Sequence, residues 1–194
     1  IVTSGNWQHF HCVLKMDVTG DKPPELFAGS MELNKWGSDD KSLKVPTSVA
    51  TDKAGRVYVA DYLNDRVQIF APDGKLLQSL KSVNPAIVSI NAKTQEIYVF
   101  STLVHNIFFS REQKYIKTPY SPKLTVYGNF DDLKEKLSVP LPKEYGGNVN
   151  GTYYSGYGSI ASAVVDGYTE PPTIWITKEW ARANVMNRAN LKRE

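Results

Sequence analysis

Hydrophobic and polar positions alternate in four short runs between residues 47 and 80. The runs are rich in β-branched and aromatic side chains and cover residues 47–51, 56–60, 66–70 and 75–80. Turn-forming sequences separate them, namely Asp-Lys-Ala-Gly at 52–55, Tyr-Leu-Asn-Asp at 62–65 and Pro-Asp-Gly at 72–74. Short strands joined by such tight turns predict a four-stranded, up-and-down antiparallel sheet.

The second of these runs recurs along the chain. Val-Tyr-Val-Ala at 57–60 is followed about 40 residues later by Ile-Tyr-Val-Phe at 97–100, and then by Ile-Trp-Ile-Thr at 174–177. Ile-Val-Thr-Ser at 1–4 fits the same position in a first unit. A period near 40 with four strands per unit is typical of a β-propeller. We therefore expect an all-β fold of about four blade units, with residues 1–194 forming a single propeller domain or a fragment of a larger ring.

Residues 36–80 resemble the NHL-repeat family of β-propellers. The matching segments are Trp-Gly-Ser at 36–38, residues 43–52, Gly-Arg-Val-Tyr-Val-Ala-Asp at 55–61, Asn-Asp-Arg-Val-Gln-Ile-Phe at 64–70 and Asp-Gly-Lys at 73–75. The other units are degenerate: Ser101 and Lys178 occupy the position of Asp61, and Asn106 that of Arg66. The resemblance implies an NHL-type propeller, a fold that serves many family members as an interaction platform.

The amino-acid composition and charge exclude or disfavour several classes of protein. Of the 194 residues 41% are hydrophobic and 11% aromatic, which excludes a disordered chain, and no apolar run is long enough for a membrane-spanning helix. The single cysteine, Cys12, excludes an internal disulfide. The net charge is only +3 and both signs are interleaved on the consensus unit, which argues against a nucleic-acid partner. The Asn150-Gly151-Thr152 sequon points slightly toward an extracellular or periplasmic location.

His9 and His11 are the candidate metal ligands. If the surrounding residues form a strand, both imidazoles project from the same face. They could then bind a divalent metal such as zinc or calcium, with Asp17 or a residue of another blade as a further ligand. The alternative is that both are ordinary core-edge or surface histidines without a cofactor.

Residues 119–158 read as an insertion between blade units. Within it, residues 131–137 could form one or two helical turns, with Asp near the amino end. Residues 145–158 are rich in Tyr, Gly, Asn and Ser, a composition typical of binding loops. The candidate ligand-binding residues are Tyr145, Asn148, Asn150, Tyr153, Tyr154 and Tyr157. The alternative is an irregular hairpin packed on the adjoining blade, and residues 178–194 similarly fit either a strand or a basic helix.

Two functions are compatible with these features. The leading hypothesis is a non-catalytic propeller that binds or scaffolds a protein, peptide or glycan partner, alongside further blades or domains of the same chain. The alternative is a propeller enzyme, a metal-dependent lyase or hydrolase with its site in the central channel. The sequence contains no phosphate-cradling glycine loop, nucleophile elbow or zinc-protease helix, so we assign no catalytic residue.

Overall fold

The computed structural model describes residues 10–102, 104, 121–141 and 160–178. Within these ranges the only helix is one 3₁₀ turn, Tyr62–Asn64, and no helix has the length and apolar character needed to cross a membrane. The strands are β1 His11–Lys15, β2 Glu25–Ser30, β3 Pro46–Thr51, β4 Val57–Asp61, β5 Arg66–Phe70, β6 Leu76–Lys81, β7 Pro85–Ile90, β8 Ile97–Ser101, β9 Lys123–Tyr127, β10 Glu135–Pro140, β11 Ile160–Asp166 and β12 Thr173–Lys178. The expected all-β fold is confirmed.

The strands form four antiparallel sheets in chain order. Sheet 1 consists of β1 and β2, sheet 2 of β3 to β6, sheet 3 of β7 to β10, and sheet 4 of β11 and β12. In each sheet, neighbours along the chain are neighbours in space. Every sheet is therefore a simple meander, the topology that tight turns between short strands favour.

The central strands of sheet 2 bury β-branched side chains on both of their faces. Val67 and Ile69 are fully buried in a cluster shared with sheet 3, while Val59 is buried on the opposite face, toward sheet 1. Val57, at the start of β4, is only half-buried because it lies beside the exposed 52–56 turn. Both faces of sheet 2 thus contribute to the core.

Sheets 2, 3 and 4 begin with equivalent hairpins. Each hairpin has a bulge near the start of its first strand and ends that strand at a turn capped by an Asp or Asn side chain. The capping oxygens accept from the main-chain N–H two residues further on: Asp52 from Ala54 at 2.9 Å, Asn91 from Lys93 at 2.9 Å and Asp166 from Tyr168 at 3.0 Å. The same local design is thus used three times, although the residues differ.

Successive sheets contact each other through their first strands. β1 contacts β3, β3 contacts β7, and β7 contacts β11. Two side chains of β3 bond the main chain of β7: the Thr47 hydroxyl donates to the Ala86 carbonyl at 2.8 Å, and the Ser48 hydroxyl accepts from Val88 N–H at 3.2 Å. The first strands are therefore joined by hydrogen bonds as well as by apolar packing.

Successive strands run in opposite directions, so the strand ends lie alternately at two opposite edges of the stack. Within-sheet hairpins 16–24, 52–56, 71–75, 91–96, 128–134 and 167–172 lie at one edge, which we call the short-turn edge. Connections 31–45, 62–65, 82–84, 102–122 and 141–159 leave the strands at the other, the long-connection edge.

Contacts between sheets support this division into two edges. At the short-turn edge, Lys53 N–H donates to Gln95 Oε1 at 2.8 Å, and Arg56 lies 3.9 Å from the ring centre of Phe130. At the long-connection edge, the N–H of Asn84, which precedes β7, donates to Asp65 Oδ1 in the 62–65 turn of sheet 2 at 2.9 Å. The sheets therefore stack with the same orientation.

Residues 131–137 do not form the expected helical turns. Residues 131–134 lie in the turn between β9 and β10, and residues 135–137 begin Glu135–Pro140, the outer strand of sheet 3. The helical prediction is wrong because this charged segment forms a turn and an exposed edge strand, which needs no apolar face. Residues 121–141, placed within the predicted insertion at 119–158, thus belong to sheet 3 itself.

Candidate functional site

A buried carboxylate organises the long-connection edge of sheet 2. Asp61, the last residue of β4, is fully buried and accepts three hydrogen bonds: from Lys44 N–H at 2.6 Å, from the Asn64 side-chain amide at 2.8 Å and from Arg66 Nε at 2.8 Å. Burial raises the pKa of the Asp61 carboxyl above its ordinary value, and the three donors offset that rise only in part. The carboxylate is thus held by a dense set of donors.

Arg66 extends this cluster to the preceding connection. Its remaining guanidinium N–H groups donate to the carbonyl oxygens of Ser38, Asp39 and Ser42 at 2.8–3.0 Å. Asn64 adds a bond from its amide to the Gly37 carbonyl at 2.7 Å. These polar groups hold the 37–44 segment against sheet 2, and their hydrogen-bonding capacity is spent within the protein rather than offered to a ligand.

His11 belongs to the same structural network. It is fully buried at the start of β1, and its Nδ1 accepts from Val45 N–H at 3.0 Å. This bond joins sheet 1 to the connection that precedes sheet 2, and it commits one of the two ring nitrogens to the main chain. The neighbouring Cys12 is half-buried, and burial raises the pKa of its thiol.

The predicted metal site has one described member. His9 lies outside the described residues, and Asp17, the suggested further ligand, is an exposed residue that accepts from Thr19 Oγ1 at 2.6 Å and Gly20 N–H at 2.7 Å. In the described part of the chain, no group of three or more His, Cys, Asp or Glu residues is arranged to hold a metal ion. Metal binding at His9 and His11 stays a prediction, as does the enzyme hypothesis that depends on it.

Two buried polar residues lie where β7 begins and β8 ends. Neither was among the candidate residues predicted from the sequence. Asn84 immediately precedes β7 and Thr102 immediately follows β8, and these strands pair at Pro85 and Ser101. Both residues are buried, and Asn84 Oδ1 and Thr102 Oγ1 find no hydrogen-bond partner in the described ranges. The Asn-Pro dipeptide at 84–85 was the available signal, since Asn84 adopts a left-handed conformation with φ of 44°.

The six predicted ligand-binding residues, Tyr145, Asn148, Asn150, Tyr153, Tyr154 and Tyr157, lie outside the described residues. The strand ends on either side of them are described. Leu141, just after β10, donates its N–H to the Pro122 carbonyl at 2.9 Å, and Ile160 is buried at the start of β11. Both anchor points are at the long-connection edge, where the 37–44 segment and the buried Asn84 also lie.

The short-turn edge has a charged cluster of its own. Asp52 accepts from Arg56 Nε at 2.6 Å and from the Tyr58 hydroxyl at 3.0 Å. Burial raises the pKa of Asp52, but the hydrogen bonds from Arg56 and Tyr58 outweigh it, so the pKa lies below its ordinary value. Because Arg56 also stacks on Phe130 of sheet 3, the cluster joins two sheets.

Comparison with known proteins agrees with this geometry over one segment. Residues 43–70 match the family model of the NHL repeat. The match confirms the resemblance predicted for this unit, and it covers β3, β4 and β5 together with Asp61, Asn64 and Arg66. The NHL signature in this chain therefore includes the residues that hold the 37–44 segment.

The other comparisons are distant. A protein of unknown function from Bacteroides caccae resembles this chain with a TM-score of 0.34 and 17% identity, over 47% of this chain and 27% of that chain. The chain thus spans about a quarter of the length of that protein. No curated protein matches the sequence.

Proposed function

We propose that the chain is a portion of an NHL-type β-propeller that binds or scaffolds a protein, peptide or glycan partner at its long-connection edge. The observation that supports this proposal is the position of Leu141 and Ile160, the described residues on either side of the Tyr- and Gly-rich segment, at that edge. Ligands of β-folds bind most often to connections held by a rigid scaffold.

The propeller assignment rests on repetition. Three equivalent hairpins stack through their first strands in chain order, and one unit matches the NHL repeat. A stack of small twisted sheets that join through their first strands curves as it grows, which is how propeller rings form. Further sheets, supplied by the same protein chain or by a second copy, would complete the ring.

The Tyr- and Gly-rich segment is a better candidate for ligand contact than the NHL signature residues. Asp61, Asn64 and Arg66 already bond each other and the 37–44 segment. Tyr145, Tyr153, Tyr154 and Tyr157, by contrast, bring several stiff aromatic rings with hydroxyl groups, which lose little entropy on binding. Asn148 and Asn150 would add adaptable hydrogen bonds.

The test is a binding screen with matched variants. The chain is applied to an oligosaccharide array and a peptide array, and any signal is remeasured for a Tyr153→Ala/Tyr154→Ala variant and for a Tyr168→Ala control. Tyr168 is an exposed tyrosine at the short-turn edge, so the control removes an exposed tyrosine without touching the proposed surface. We expect the double variant to weaken binding by about 30-fold or more, the effect of losing hot-spot aromatics, and the control to bind normally.

Hydrogen exchange provides the independent check. Residues 145–158 should exchange fast in the isolated chain and slow down when a ligand from either array is added. Slow exchange that no ligand changes would assign the segment to packing and contradict the proposed binding role.

A further inference from the structure

The outward face of sheet 4 carries an aromatic side chain at a position that is buried in the other sheets. Tyr58 in β4 pairs with Ala50, Tyr98 in β8 pairs with Ser89, and Trp175 in β12 pairs with Val164. In each hairpin the paired residue of the first strand lies two positions before the capping Asp or Asn. The three aromatic residues are therefore structurally equivalent.

Their burial differs sharply. Tyr58 is 1% exposed because sheet 3 covers it, and Tyr98 is 6% exposed because sheet 4 covers it. Trp175 is 64% exposed and its partner Val164 is 59% exposed. The face that receives the next sheet at two internal interfaces is open on sheet 4.

Sheet 1 has the complementary open face. Val13 and Phe27 of sheet 1 pack toward sheet 2, so the opposite face is the one that would receive a preceding sheet. That face carries the cross-strand pair Leu14 and Leu26, both exposed, and Phe10, which precedes β1, is exposed as well. Among the described residues, the stack thus has one exposed apolar face at each end.

We propose that these two faces dock on each other between copies of the chain, with sheet 4 of one copy receiving sheet 1 of a second copy. We call the face of a sheet that contacts the next sheet along the chain its forward face, and the opposite face its rear face. The proposed contact repeats the interface that joins sheets 1 and 2, 2 and 3, and 3 and 4, in which a forward face packs on a rear face. A forward face and a rear face are different surfaces, so the contact is head-to-tail, and two copies can satisfy both ends by closing on each other. Exposed apolar clusters of this kind are characteristic of protein interfaces.

The first test is the mass of the chain in solution. Sedimentation velocity from about 1 μM to about 1 mM, a range that detects even millimolar contacts, should show a species of twice the 21.7 kDa of the chain. Longer assemblies would show the same contact without closure of the pair. A mass that stays at one chain over the whole range would overturn the proposal and leave the face to a different occupant.

Single variants test the location of the contact. Trp175→Lys or Val164→Lys should raise the dissociation constant by about 30-fold or more, since either places a charge in the docked face. Tyr168→Lys is the matched control, because Tyr168 is an exposed aromatic of the same sheet but lies in its turn. Circular dichroism verifies that each variant keeps its strands, and equal association of the Trp175 and Tyr168 variants would contradict the proposed site.

A mixing experiment tests the head-to-tail geometry. Trp175→Lys disrupts only the forward face, and Leu26→Lys disrupts only the rear face. Because each contact needs one intact face of each kind, each variant alone should be monomeric. Mixed together, the intact forward face of the Leu26 variant can receive the intact rear face of the Trp175 variant, and a one-to-one complex should appear. A mixture that stays monomeric, although wild type associates, would exclude this pairing. The inference depends on sheet stacking and not on residues 145–158, so it stands or falls separately from the proposed ligand.

Discussion

Sheets 2 and 3 share one architecture but hold their connections by different chemistry. At the end of its second strand, sheet 2 has Asp61, a buried carboxylate that pairs with Arg66 and receives Lys44 N–H. Sheet 3 has Ser101 at the same position, and its hydroxyl donates a single bond to the Val83 carbonyl at 2.7 Å. Both sheets nevertheless have four strands in the same order and bury both central strands.

The comparison of Asp61 with Ser101 distinguishes the residues that the fold requires from those that are specific to the NHL signature. Apolar alternation in the second and third strands is sufficient to build and stack a sheet, since sheet 3 does so without the charged pair. The Asp, Asn and Arg of the signature hold the connection that precedes the sheet. This explains why the NHL match is confined to residues 43–70 although the structural repeat extends further.

The largest expected effect distinguishes the two sheets directly. Asp61→Ala removes the buried carboxylate that accepts from Lys44 N–H, Asn64 and the half-buried Arg66, and it should lower the free energy of unfolding by about 3–5 kcal/mol. Ser101→Ala removes one neutral hydrogen bond and should cost about 1 kcal/mol. Urea denaturation of both variants measures the difference. Equal losses would mean that the carboxylate network contributes no more than the single hydroxyl bond.

A second pair of substitutions should show no difference between the sheets. Val59 in sheet 2 and Val99 in sheet 3 are both fully buried at equivalent positions of the second strand. Truncation of either to Ala should cost about 1–3 kcal/mol, scaled from larger core truncations. The same urea denaturation compares the two. A large disparity would show that the two stacked interfaces do not contribute alike to stability.

The smallest expected effect is the pH dependence that Asp52 gives to sheet 2 at a position where sheet 3 has the uncharged Asn91. Because the pKa of Asp52 is lowered in the folded state, its ionised form stabilises the fold above the unfolded pKa of about 3.9, and this stability is lost as the pH falls through the folded pKa. Asp52→Asn should therefore cost about 1 kcal/mol at neutral pH and reduce the loss of stability below pH ~4. Unfolding free energies measured from neutral pH to pH ~3 test this.

Tyr58→Phe serves as the graded control for Asp52. It removes one of the hydrogen bonds to the carboxylate but leaves Arg56 in place, so its effect on acid sensitivity should be smaller and of the same sign. The equivalent residue in sheet 3 is Asn91, which caps its turn without a charge. An acid response unchanged by Asp52→Asn would assign it to other carboxylates.

The fold of sheet 2 could be predicted from the sequence nearly to the residue. The predicted runs at 47–51, 56–60, 66–70 and 75–80 differ from β3 to β6 by at most one residue at each end. Prediction succeeded there because apolar alternation and turn residues agreed at every step. Each signal was local, so no knowledge of the neighbouring sheets was needed.

In sheet 3 the local sequence patterns did not predict every strand. β9 and β10 were missed because Pro and charged residues surround them and because β10 is exposed along its whole length. The roles of His11 and Asn84 could not be predicted either, since they depend on Val45, Tyr62 and Asp65, residues far away in sequence. Tertiary partners of this kind leave no periodic pattern.

The outer strand of sheet 3, β10, carries residues that oppose pairing of its exposed backbone with another strand. Among the described strands, β10 is the edge of sheet 3 and carries the exposed Leu137 and Val139, a combination that favours edge-to-edge strand addition. Lys136, paired with Glu96 at 2.9 Å, and Pro140 at the end of the strand interrupt that template with charge and with a missing N–H donor. We therefore expect the charges and the proline of this strand to hinder the addition of another strand at this edge, independently of any binding partner.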